Sequence, residues 1–195
     1  MPVNQNDPRV KRTRQLLLQS FMELLEQKKN IYSISVQDIT DRATVNRATF
    51  YAHFEDKYAF LECWMREKFQ RKLEEALPNS SISNMSSLRI LILTVFDFLA
   101  LTRQYMIRTP ENSQFEPLFE IAMQKELYQL LVAWLSKESK ASVSQEMVET
   151  TALVISWGIL GTAIQWSRGP QLRTAEAMVR DVLVVVAAGL APVLD

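Results

Sequence analysis

The sequence predicts an all-α fold: a three-helix N-terminal head, a long connecting helix and a larger helical C-terminal region. Only 4 Gly and 7 Pro occur in 195 residues, and most of the prolines fall between periodic stretches, which favours long helices over many tight turns. Apolar residues recur at helical spacing through most of the chain. Between Ser35 and Phe54, two short amphipathic segments flank a two-residue turn, the layout of a helix-turn-helix.

The elements follow in order. Asp7-Pro8 opens the first helix, with Asp as N-cap and Pro in the first turn, where its missing N–H costs nothing. Val10, Leu17, Phe21 and Leu24/Leu25 mark its apolar side. Gln27–Tyr32 is polar and irregular, and Ile31–Val36 is the one stretch with some β character. Ser35-Val-Gln-Asp38 reads as a capping box that starts a second helix, buried along Val36, Ile39 and Ala43. Thr44-Val45 separates it from a third helix, Arg47–Phe54, capped by Asn46. Asp56 caps a long fourth helix with a stripe at Leu61, Trp64/Met65, Phe69 and Leu73. Pro78–Asn84 reads as a linker, because its short polar side chains compete with helix hydrogen bonds. Helical patterns follow over 86–106, 116–137 and 145–168, with Pro110-Glu-Asn-Ser113 as a break and Gly169-Pro170 as a stop. A last helix starts at Thr174 and carries Met178, Val182, Val186 and Leu190. The expected domains are 1–56 and 57–195, with a linker-like break near 78–85.

Composition narrows the function. Hydrophobic residues are 48 % and charged ones 23 %, as in a globular protein rather than a disordered one. Formal net charge is zero, but residues 1–60 hold nine Lys/Arg against seven Asp/Glu and residues 81–195 nine against eleven. The basic excess lies at the head, where Arg9, Lys11, Arg12 and Arg14 form an arm suited to phosphates. Cys63 is the single cysteine, so no intrachain disulfide forms and a reducing compartment is expected. The start is polar and lacks a signal core. The apolar runs Ala152–Ile164 and Val182–Leu194 are broken by Ser156, Thr162 and Pro192 and fall short of the ~20 residues a bilayer span needs. A cytoplasmic protein without membrane contact is expected.

Residues along a helix are about 100° apart, which puts Phe50 and Phe54 on one side of the third helix. They face Val36, Ile39, Ala43 and Val45. Arg47, Ala48, Thr49, Tyr51 and Ala52 spread over the opposite arc, which suits close approach to a groove. Arg47 has the two-pronged donor that reads guanine, while Thr49 and Tyr51 reach phosphates or a thymine methyl. Lys57 begins the fourth helix, where free backbone N–H groups attract anions. His53, the single histidine, has no nucleophile or acid partner nearby, and one His with one Cys is a poor metal set. No Gly-rich phosphate loop, HExxH or GxSxG occurs. Neither an enzyme nor a cofactor is expected.

The string Ser35 to Lys57, with its Thr49-Phe50-Tyr51-x-His53-Phe54-x-x-Lys57 core, resembles the DNA-binding signature of the TetR family. The close resemblance covers about residues 9–65. It implies an N-terminal helix-turn-helix DNA-binding domain and a C-terminal helical ligand-binding and dimerisation domain. It implies further that Arg47, Thr49, Tyr51 and His53 line the DNA face and that Lys57 contacts a phosphate. With Ser35, Gln37, Asn46 and Ala48, these residues form the candidate DNA-contacting set. Thr44 stands where the family usually has glycine. A β-branched residue tolerates positive φ poorly, so a different turn backbone and a tilted third helix are expected.

In the C-terminal half, Gly158 and Gly161 leave flat spots on one helix, and Val182–Ala188 is apolar all round. A helix apolar on every side is buried on every side, so a homodimer through about 146–168 and 174–191 is expected, reading a palindromic operator in double-stranded DNA. Phe96, Tyr105, Phe119, Met123, Trp134 and Trp157 are candidate linings of an apolar pocket for a small-molecule inducer. The resulting expectation is a repressor released by a small, mostly apolar inducer. The alternative is an adaptor or co-activator working through protein–protein contacts, which the neutral net charge favours.

Overall fold

The computed structural model describes residues 7–77, 82–106 and 110–194, with Tyr105 and Met106 described by their backbone alone. Among the described residues there are nine helices and no strand: α1 (Pro8–Lys28), α2 (Val36–Ala43), α3 (Arg47–His53), α4 (Lys57–Ala76), α5 (Met85–Met106), α6 (Pro110–Ser113), α7 (Glu116–Glu138), α8 (Gln145–Arg168) and α9 (Ala175–Leu194). Two compact units form, one from Met1–Trp64 with Gln104–Phe119 and the other from Met65–Arg103 with Glu120–Asp195.

The first unit is built from capped helices around an aromatic core. Asp7 accepts the Arg9 N–H at 2.8 Å and starts α1, whose Leu17, Leu18, Phe21, Leu24 and Leu25 are buried. Lys29, left-handed at φ 52°, ends it. The loop that follows takes no strand form but buries Ile31 and Ile34. The predicted capping box is formed: the Asp38 N–H donates to Ser35 Oγ at 3.1 Å, and the Ser35 N–H donates to Asp38 Oδ2 at 2.7 Å.

The turn corrects one expectation. Thr44 adopts the left-handed conformation itself, φ 55° and ψ 43°, so the backbone keeps the geometry a glycine would take. Its N–H donates to the Asp41 and Thr40 carbonyls, and the Val45 N–H donates to the Thr40 carbonyl at 3.0 Å. Closure of the turn by these bonds holds Thr44 there despite the crowding at its Cβ.

The Pro110–Ser113 break is also corrected, since these four residues form the single-turn helix α6. Proline suits the first turn, where no N–H is needed, and Ser113 Oγ donates to the Pro110 carbonyl at 2.6 Å. Within the first unit, Phe115 meets Tyr58 with ring centroids 5.9 Å apart, and Phe119 meets Trp64 at 6.0 Å.

In the second unit α5 is capped by Asn84, which accepts the Ser87 N–H at 2.9 Å; residues 78–81 of the expected linker lie outside the described residues. Leu91, Val95 and Phe96 of α5, Leu127 and Leu131 of α7, Ile155 and Ile159 of α8, and Val179 and Val186 of α9 are buried. Polar side chains bridge these helices. Arg103 Nε donates to Ser167 Oγ at 3.1 Å, Gln124 Nε2 to Ser156 Oγ at 3.3 Å, and Arg168 pairs with Glu120 at 2.9 Å. The last helix continues past Pro192 to Leu194. Its Val184 and Val185 stand 71 % and 72 % exposed.

The expectation that no segment is long enough to cross a bilayer is overturned. Met85–Gln104, Gln145–Arg168 and Ala175–Leu194 are long and apolar enough by length and composition, because each helix runs on beyond its continuous apolar core.

Candidate nucleic-acid interface

Packing decides which face of α3 is outward. Phe50 is wholly buried and Phe54 nearly so. Their rings meet each other at 5.5 Å and the Phe60 ring at 5.4 and 5.0 Å. Phe60 in turn meets Phe21 of α1 edge-on at 5.4 Å. Four rings on α1, α3, the α3–α4 junction and α4 thus fix the roll of α3, as the spacing predicted. With that side sealed, Arg47, Ala48, Tyr51 and Ala52 are exposed, while Thr49 and His53 lie half-buried at the edges of the outward face.

Arg47 and Tyr51 act as a pair. The Arg47 guanidinium lies 5.9 Å from the centre of the Tyr51 ring, and its Nη2 reaches the Tyr51 hydroxyl at 3.4 Å. One turn apart on the helix, they present a planar donor and a hydroxyl side by side. Gln37 on α2 is exposed, with Nε2 donating to Asp41 Oδ1 at 2.5 Å. Ser35 and Asn46 are exposed too, but their side chains are engaged in capping: Asn46 Oδ1 accepts the Ala48 N–H at 2.6 Å.

Lys57, expected to contact a phosphate, turns its ammonium toward main-chain carbonyls of the α1–α2 loop. Its Nζ donates to the Ile31 carbonyl at 2.9 Å and the Tyr32 carbonyl at 3.3 Å, and lies 5.6 Å from the centre of the Phe115 ring. Burial lowers its pKa; Asp38 pulls the other way and Lys28 adds to the lowering. Lys57 therefore ties the start of α4 to the α1–α2 loop. Burial, with help from the nearby Arg14 charge, also lowers the His53 pKa, which keeps the imidazole neutral near pH 7. In the basic arm, Arg9, Lys11 and Arg12 are exposed, whereas Arg14 Nη2 donates to Cys63 Sγ at 2.8 Å and its guanidinium faces the Phe54 ring at 5.9 Å.

One contributor escaped sequence reasoning. The Tyr32 N–H donates to Asn112 Oδ1 at 3.1 Å across 80 residues of chain. A polar residue in a proline-led break carried no periodic signal for this long-range bond.

Comparison with known proteins agrees with this architecture. Residues 22–62, spanning the end of α1 to the first turns of α4, match the N-terminal domain of the bacterial regulatory proteins of the tetR family. The matched stretch is the helix-turn-helix head, 41 of the 195 residues. The chain is 34 % identical over 80 residues to YxbF, an uncharacterized HTH-type transcriptional regulator of Bacillus subtilis (strain 168). That match spans 41 % of the chain but 20 % of YxbF. Two solved structures share the fold at low identity. RolR in complex with resorcinol has a TM-score of 0.53 at 12 % identity, covering 93 % of this chain and 92 % of RolR. The dihydroxyacetone kinase operon activator DhaS has a TM-score of 0.51 at 18 % identity, covering 94 % and 98 %.

The residues grouped as pocket linings differ in burial and in the unit they belong to. Phe96, Met123 and Trp134 are buried in the second unit, and Phe119 in the first. The Tyr105 side chain lies outside the described residues. Trp157 is 48 % exposed on the outer face of α8, because it falls opposite Ile155, Ile159 and Ala163 on the helix.

Proposed function

We propose that the chain is a TetR-family regulator that binds a two-fold symmetric operator as a cytoplasmic homodimer and represses transcription until a small, mostly apolar inducer enters the second unit. The observation that carries the reading is the outward face of α3, with Arg47 and Tyr51 displayed between two alanines over a sealed aromatic core. Short side chains beside a two-pronged donor let a helix descend into the major groove and read its floor. Gln37, Thr49 and His53 border that face. Exposed Arg9, Lys11 and Arg12 would add sequence-blind phosphate contacts.

Dimerisation accounts for the apolar surfaces of α8 and α9. Leu153, Val154 and Trp157 on α8 and Val184 and Val185 on α9 are exposed. A Cβ added at Gly158, Gly161 or Gly189 would meet nothing within 4 Å. Flat, apolar stripes on two neighbouring helices suit a two-fold four-helix contact, for which an obligate interface buries on the order of 2,000 Å² or more. Burial against a second copy explains apolar helices of this length without a membrane. An inducer that favours the non-DNA state by about 1–3 kcal/mol gives a useful switch. Phe96, Met123 and Trp134 supply an apolar interior for it.

Titration of the gene's own upstream region with the parent protein and with Arg47→Ala and Tyr51→Ala, at several salt concentrations, tests the reading. Each substitution should weaken specific binding by ~1–3 kcal/mol with helix content unchanged. Equal binding by parent and variants would refute the site. The zero net charge favours the second reading, an adaptor acting through protein contacts; that protein would show no DNA binding or only salt-sensitive, sequence-blind binding.

A further inference from the structure

Between α4 and α7, within the second unit, lies a cleft of about 320 Å³. On α4 its wall is Gln70, Leu73, Glu74 and, just past the helix end, Leu77; on α7 it includes Glu126 and Leu130. The spacing i, i+3, i+4, i+7 on one side and i, i+4 on the other means that each helix offers one continuous face. The volume is at the small end of ligand sites.

The chemistry of the wall is one-sided. Two carboxylates and amide groups share it with leucines, and among the described residues that line it there is no lysine, arginine or histidine. Glu126 is 8 % exposed. A carboxylate so far from water needs compensation for its charge, and here it is incomplete. Gln70 Nε2 donates to Oε2 at 2.5 Å. The nearest cation, Arg66, holds its Nε 3.6 Å from Oε1, and that nitrogen is buried without a hydrogen-bond partner. A carboxylate accepts about four hydrogen bonds, so Glu126 has acceptor capacity to spare. Arg66 offsets one of the two cleft carboxylates and leaves the other in excess.

We propose that this cleft binds an amphipathic organic monocation, its ammonium head on Glu126 and Glu74 and its hydrocarbon body along Leu73, Leu77 and Leu130. A metal ion is the poorer occupant, because no group of three or more His, Cys, Asp or Glu that could hold one occurs among the described residues. The ligand class differs from the mostly apolar inducer proposed above. Binding stands independently of the DNA-binding reading; only its regulatory consequence rests on that reading.

Calorimetric titration of the full chain with n-hexylammonium chloride, sodium hexanoate and 1-hexanol tests it without DNA. The ammonium should bind saturably, once per chain, and at least about tenfold more tightly than the alcohol, with hexanoate silent. Glu126→Gln should weaken it about tenfold or more, and the exposed Glu74→Gln by about twofold. Should Glu126→Gln fail to fold, the selectivity of the parent protein and the Glu74 variant still decide. Hexanoate binding as well as the ammonium, absence of ammonium binding, or binding unchanged in both variants would overturn the proposal.

Discussion

Replacing Thr44 with glycine should make the protein more stable while leaving its operator preference alone. Thr44 is exposed and sits at φ 55°, ψ 43°. An L-residue in that region carries a penalty of about 1–2 kcal/mol from its Cβ, which glycine removes. Against this, glycine gives the unfolded chain extra freedom worth about 0.5–1 kcal/mol. The net gain is about 0.5–1 kcal/mol, or ~1–4 °C in Tm for a chain of this size. Urea unfolding followed by circular dichroism, at fixed protein concentration, measures it. Thr44→Ala is the informative control, because it keeps the Cβ and loses only the branch, so it should recover less than glycine. Operator affinity should stay within about twofold, since the hydrogen bonds that close the turn are all main-chain. A glycine variant less stable than the parent by about 0.5 kcal/mol or more would refute the strain argument, as would an alanine variant that matches it.

Three further perturbations test other parts of the structure. Asp38, its pKa lowered to about 2 by hydrogen bonds from Ser35 and Lys28, contributes stability that is complete above pH 4 and is lost as pH falls toward 2; Asp38→Asn should cost about 1 kcal/mol at pH 7 and flatten that acid limb of the melting curve. Lys57→Met leaves the Ile31 and Tyr32 carbonyls without their donor and should destabilise the folded protein by about 1–2 kcal/mol in a melt without DNA, whereas a residue serving only phosphate would leave that melt unchanged. Gly158→Ala combined with Gly161→Ala adds methyls where the single chain has open space, so a monomer would gain roughly 1 kcal/mol per site; sedimentation equilibrium should instead show a weakened dimer, and an unaltered association state would count against α8 as the contact.

Much of the helical framework was legible because its signals are local. Asp7, Ser35 and Asn46 cap the helices they were expected to cap, and the predicted inward turn of Phe50 and Phe54 is observed. Periodicity reports which side of a helix is apolar, and here it was enough to orient α3. It does not report what covers that side. Trp157 reads as a pocket residue by composition and lies on an exposed face, because apolar chemistry alone does not say which side chains the fold covers. The tie from Lys57 to the Ile31 and Tyr32 carbonyls was hidden for another reason: main-chain acceptors have no signature in the residue string. Thr44 shows the limit of propensity, since main-chain hydrogen bonding outweighs the local preference of a β-branched side chain.

The inclusion of Gln104–Phe119 in the first unit has a practical consequence for anyone recombining these parts. A head-swap chimera cut at a single seam just past Trp64 would strip Tyr58 and Trp64 of their partners Phe115 and Phe119, and the Tyr32 amide of its bond to Asn112. The recipient scaffold would have to supply matching rings and an acceptor of its own. A transplant that keeps the head intact therefore has to be stitched at more than one seam, carrying the distant segment along with the N-terminal one.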